Sequence, residues 1–173
     1  MKIVRAMVGV VLALVLQSMI GQATGTVRLP FDLALVWTVA VALLYGRVYG
    51  LLVGSVAGLA QDALSAGVLG IGGLATSLAG FLAGWAGTQF IVTQSLPRFL
   101  LYLGATAVHG FVFMGLYYLL GLRVFEQPYV ELVTLGLVNS AFGVTLFWLI
   151  ELLPGLPERW RVSRERRRKV RYH

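Results

Sequence analysis

The chain has 173 residues, 58% of them hydrophobic and only 12% charged, with a mean hydropathy of +0.84. A soluble domain wets its surface with roughly 25% charged residues, so this composition excludes a soluble globule and points to a chain dissolved in lipid. The absence of cysteine excludes disulfides, thiolate metal sites and a cysteine nucleophile. The net charge of +7 sits almost wholly in the C-terminal tail: from Arg159 onward eight basic residues face one acid, while the preceding residues balance at six and six.

A helix needs about 20 apolar residues to cross a hydrocarbon core of roughly 30 Å. Six stretches between charges and turn residues qualify or nearly so: 6–23, 31–45, 48–66, 73–92, 99–121 and 129–153. The fold class predicted is an all-α integral membrane protein, a six-transmembrane-helix bundle over residues 1–157 with a basic cytoplasmic tail over 158–173. Lys2 and Arg5 before an apolar run also suit a cleaved signal peptide, but Gln17, Ser18 and Gln22 extend past a typical signal core, which favours a retained first helix. Tyr45 and Tyr49 flank Arg47 and predict a tight interfacial turn between the second and third spans. With both termini inside, Lys2, Arg5, Arg47, Arg98 and the tail are cytoplasmic, and only Arg28 and Arg123 fall outside. That asymmetry sets the expected orientation.

In the third span Gly46, Gly50, Gly54 and Gly58 recur every four residues. Glycines so placed let a neighbouring backbone approach closely, which supplies association energy where lipid offers no hydrophobic drive. The row drifts by about 40° per step, so it suits a crossing helix rather than a straight seam. Gly80 and Gly84 repeat the pattern in the fourth span, and Gly136, Ser140 and Gly143 in the sixth. These faces serve either packing within one bundle or the docking of a partner helix.

Asp62 continues the glycine row, with Ser65 three residues on. A carboxylate within a span faces protein or a water-filled cavity, because exposure to lipid is costly. Asp32 precedes Arg47 by fifteen residues and Asp62 follows it by fifteen. An antiparallel hairpin puts both at one depth, about 22 Å from the turn. With Arg28 nearby they make a candidate cation or proton site. Asp32 also has a simpler account, an acid two residues after Pro30 near the positive end of a helix dipole. His109 lies near the middle of the fifth span on one face with Tyr102, Thr106, Phe113 and Tyr117, and Asn139 is at similar depth in the sixth. A membrane histidine can relay protons, but a neutral histidine bonded to Asn139 or Thr106 is the plainer role. Helical rise separates His109 from Asp62 by about 12 Å in depth, which argues against a direct relay.

Phosphate-loop, zinc-protease and nucleophile-elbow patterns are absent, so neither an enzyme nor a resident cofactor or metal is expected. In the tail, Arg159, Arg161, Arg164, Arg166, Arg167, Arg168, Lys169 and Arg171 predict contact with anionic lipid at the inner surface, in preference to nucleic acid.

The stretch Pro30-Phe31-Asp32-Leu33, the glycine-rich arm after it, and Asp62-Ala63-Leu64-Ser65-Ala66-Gly67-Val68-Leu69-Gly70 resemble the rod shape-determining protein MreD family over about residues 28–120. Val68 departs from the family's usual proline before Leu-Gly. The resemblance implies a non-enzymatic protein of the bacterial inner membrane that binds MreC and, through it, works with the elongation glycosyltransferase and transpeptidase and with MreB. The family resembles in fold the six-helix S components of vitamin transporters, which makes a solute-binding S component the alternative. Against it, the first span lacks a clear Ala-x-x-x-Ala docking row, Gly9 and Ala13 being the nearest equivalent. An ion or proton transporter using Asp62 and His109 is a third possibility.

Overall fold

The computed structural model describes residues 2–25, 30–65, 67–89, 94–122 and 128–152. They form six helices: α1 Lys2–Thr24, α2 Leu33–Tyr45, α3 Arg47–Leu64, α4 Ile71–Gln89, α5 Ser95–Leu119 and α6 Pro128–Leu152, with no strand among the described residues. Three of them, α1, α5 and α6, carry apolar stretches long enough to cross a membrane, and α2 is a shorter apolar helix.

Side-chain contacts show that consecutive helices run antiparallel. Trp37 of α2 donates its indole N–H to Ala6 O near the start of α1, while Gln17, eleven residues on, reaches Leu33 at the start of α2. In the same way Gly50, Gly54 and Gly58 of α3 meet Gly80, Thr76 and Gly72 of α4 in descending order. Tyr102, Thr106 and Gly110 of α5 meet Gly143, Asn139 and Leu132 of α6.

At its centre lies α2, the shortest helix. Eight of its thirteen residues are buried, including Ala34, Val39, Ala40 and Val41. Small and β-branched side chains suit this position, because α3, α4, α5 and α6 all pack around it. One side of the core joins Leu35, Val39, Ala79, Ala83, Tyr102 and Phe147; the other joins Ala6, Val10, Val41, Val53 and Ala57. By contrast Ile3, Val4, Val8, Val11, Leu12 and Met19 of α1 are exposed, as are Val130, Val133, Leu149 and Leu152 of α6.

Helix boundaries differ from the sequence reading in three informative places. Asp32 stands outside α2 as its N-cap, in extended conformation (φ −131°), and its carboxylate accepts the Leu35 N–H at 3.0 Å. Such an acceptor satisfies an otherwise unpaired first-turn donor, so the helix starts after Asp32 and not at Pro30. Gly46 is the shared cap of α2 and α3, at φ +104°, and donates its N–H to Ala42 O. Its place in the glycine row is therefore conformational: a Cβ there would meet nothing within 4 Å, but the positive φ disfavours any side chain. Finally α5 begins at Ser95, four residues earlier than the sequence suggests. Pro97 is tolerated in a first turn, where its missing N–H would have no intrahelical partner, and Arg98 becomes a helical residue instead of a loop one.

Candidate functional site

One cluster of interior polar residues forms at the N-terminus of α2. The Asp32 N–H donates to Asn139 Oδ1 of α6 at 2.8 Å, and the Leu33 N–H to Gln17 Oε1 of α1 at 3.0 Å. Asp32 Oδ1 accepts both the Leu35 N–H and Gln61 Nε2 of α3, the latter at 2.9 Å. Asn139, fully buried, also donates through Nδ2 to Thr106 Oγ1 of α5 at 3.4 Å. Side chains of α1, α3, α5 and α6 thus converge on the buried N-terminal end of α2. A helix leaves its first N–H groups without intrahelical partners, and burying them unpaired costs about 1–3 kcal/mol each. The cluster removes that penalty and fixes where α2 sits.

Asp62 performs the matching task for α4. Its Oδ2 accepts the N–H groups of Gly70, Gly72 and Gly73 at 2.8, 3.0 and 3.2 Å, and Oδ1 also approaches the Gly72 N–H. A carboxylate at a helix N-terminus also meets the positive end of the dipole. Gly70 lies at φ +105°, the conformation that turns the chain back into α4, and Gly72 leaves room that a Cβ would take from the carboxylate itself. The Asp-x-x-Ser…Leu-Gly motif is therefore a helix-capping turn. Ser65 does not bond the Asp62 carboxylate: it is exposed, and its hydroxyl donates to the backbone carbonyls of Gln61 and Asp62.

His109 is buried, and its hydrogen bond goes to neither expected partner. Thr76 Oγ1 of α4 lies 3.3 Å from its Nδ1, and the Phe113 ring stacks at 5.7 Å with Tyr117 beyond it. Thr76 is one turn of α4 from Gly72, about 6 Å of rise, so His109 and Asp62 are closer in depth than straight-helix counting predicts. They are still bridged by the backbone of α4 and not by a direct bond between side chains. Among the described residues no group of three metal-ligating side chains forms.

The glycine faces are filled from within. A Cβ on Gly54 would fall 2.6 Å from Thr76 O, and one on Gly50 or Gly58 would strike the backbone at Gly80 or Gly72. Gly80 answers Gly50, and Gly84 lies against Arg47. On α6, Gly143 receives the Tyr102 ring, Gly136 lies beside Leu103, and Ser140 bonds back to Gly136 O. Gly9 of α1 is covered by the Trp37 indole.

Arg28 and all eight basic tail residues lie outside the described residues. Sequence reasoning missed Gln61 and Thr76 as network members, and gave Gln17 no role there. Polar residues inside apolar spans are the signal that marks them, and it marks Thr106 too, expected beside His109 and found bonded to Asn139. It also missed the ion pair of Arg98 with Glu151, whose ends of α5 and α6 meet only in the fold. No protein-family model, curated protein or solved structure matches the chain.

Proposed function

We propose that this protein is a non-enzymatic scaffold of the bacterial cell-wall elongation machinery, a six-span inner-membrane protein that binds MreC and helps maintain rod shape. The family assignment rests on the MreD-like sequence stretches. The observation that carries the scaffold reading is the use made of the two buried carboxylates. Asp32 and Asp62 are each engaged in capping a helix, and neither shares a site with the other. The nearest equivalent of an S-component docking row, Gly9 and Ala13 of α1, faces the bundle: Ala13 is buried, and Gly9 is covered by the Trp37 indole of α2, which also donates to Ala6 O.

In this reading all six helices cross the bilayer with both termini cytoplasmic, as the distribution of basic residues favours. MreC binds helix faces and outer loops, the elongation synthases and MreB are reached indirectly, and the basic tail holds anionic lipid. Depletion in the rod-shaped host, with co-purification on tagged MreC, tests it: rounded, widening cells and recovery with MreC are expected. Rods that stay normal, together with a vitamin-sized solute retained by the purified protein, overturn the scaffold in favour of the S component.

A further inference from the structure

At the opposite end of the bundle from the Asp32 cluster, α5 and α6 frame a cleft of about 200 Å³ lined by Ser95, Arg98, Val144, Thr145, Trp148 and Glu151. Arg98 is nine-tenths buried, with its guanidinium 4.9 Å from the Phe147 ring centroid and paired to the half-exposed Glu151 carboxylate. Each charge sits on the wrong end of its own helix. Arg98 is the fourth residue of α5, at the positive end of the dipole, and Glu151 is next to last in α6, at the negative end. Gln94, the N-cap of α5, makes no side-chain bond to the first turn, so Ser95 begins the helix without that cap.

We propose that this cleft binds the headgroup of a phospholipid carrying both a phosphate and a primary ammonium, namely phosphatidylethanolamine. The phosphate meets the Arg98 guanidinium, the Ser95 hydroxyl and the first-turn N–H groups of α5, which the Gln94 side chain does not cap, three donor sets that suit an anion. The ammonium meets Glu151 and the carbonyl end of α6. The ligand thus supplies a negative group where the α5 dipole is positive and a positive group where the α6 dipole is negative. Because Glu151 already offsets Arg98, a headgroup with phosphate alone must compete with a carboxylate, whereas a zwitterion finds a counterpart for each charge. Trp148, 59% exposed, and Val144 form the apolar wall beside it, and an indole there suits the interfacial layer. At 25 residues, α5 and α6 are each about 37 Å long, more than the hydrocarbon thickness, so their terminal turns stand among headgroups.

The proposal rests on α5 and α6 crossing a membrane, and the test separates the two. The full chain in detergent is offered dioleoyl phosphatidylethanolamine, phosphatidylcholine and phosphatidylglycerol, and retained lipid is counted by native mass spectrometry. Phosphatidylethanolamine is expected to be preferred over the other two by about tenfold, the worth of one charge-assisted hydrogen bond. Glu151→Gln, isosteric and half-exposed, reduces the preference over phosphatidylcholine, whose quaternary ammonium has no N–H to donate, because the amide oxygen still accepts an N–H but without the charge that strengthens the bond. Arg98→Gln weakens all three lipids, and Glu131→Gln at the far end of α6 leaves retention unchanged. Equal retention of the three lipids by the unaltered protein, a preference for phosphatidylglycerol, or an unaltered preference in Glu151→Gln overturns the headgroup site. A chain that alkaline carbonate strips from vesicles overturns the membrane reading itself, and the site with it.

Discussion

Asn139 of α6 accepts the backbone N–H of Asp32 at 2.8 Å, across 107 residues of sequence, and donates to Thr106 of α5 from the other side of its amide. One buried side chain therefore joins the start of the central helix to the two long helices at its flank. Asn139→Leu leaves the Asp32 N–H unpaired in the interior and is expected to cost about 1–3 kcal/mol. Thr106→Val, which loses only the longer bond, is expected to cost less. Thermal unfolding in detergent measures both, and the reverse order contradicts Asn139 as the principal tie.

Glycine positions divide into two groups that a single added methyl distinguishes. Gly54→Ala puts a Cβ 2.6 Å from Thr76 O, where backbone must move. Gly104 and Gly115 of α5 have open space at the same atom. Gly54→Ala is expected to destabilise by about 1–3 kcal/mol. Gly104→Ala and Gly115→Ala gain helix propensity of up to about 1 kcal/mol instead. Yield of folded protein and melting temperature check the difference in sign.

Asp62→Asn is expected to be milder than Asp62→Leu. The asparagine oxygen can take the place of Oδ2 and keep the N–H bonds of Gly70, Gly72 and Gly73, but its NH2 then faces Gly72 and the charge at the α4 terminus is lost. Charge at such a terminus contributes about 0.3–1 kcal/mol, whereas leucine forfeits every bond. Equal defects in stability would show that the charge alone matters.

Reporter fusions at residue 125 and at the C-terminus are expected on opposite sides of the membrane, the first outside and the second inside. Fusions reporting the same side refute the six-span topology.

The apolar runs, broken by charges and by Tyr45-Gly46-Arg47, mark all six helices, because turn residues and most charges fall between the runs or at their ends. The glycine spacing in α3 and α4 identifies close backbone contact for the same reason: only glycine permits it, whatever the neighbour. Which neighbour fills the face is decided by tertiary structure. Gly50, Gly54 and Gly58 are covered by α4 of the same chain, so the row does not by itself specify a partner.

Polar chemistry was the less legible part. Asp32 and Asp62 stand out in sequence because a buried carboxylate requires donors, but apart from the Gln61 amide those donors are backbone N–H groups, which a pattern of side chains does not reveal. The partnership of His109 with Thr76 depends on how α4 lies against α5, and that of Arg98 with Glu151 on the ends of two helices meeting. Sequence by itself determined the helices, their apolar character and the need of Asp32, Asp62 and His109 for partners. Only the tertiary structure decided the partners, because a hydrogen bond is set by angles and distances of a few tenths of an ångström that helix packing alone supplies.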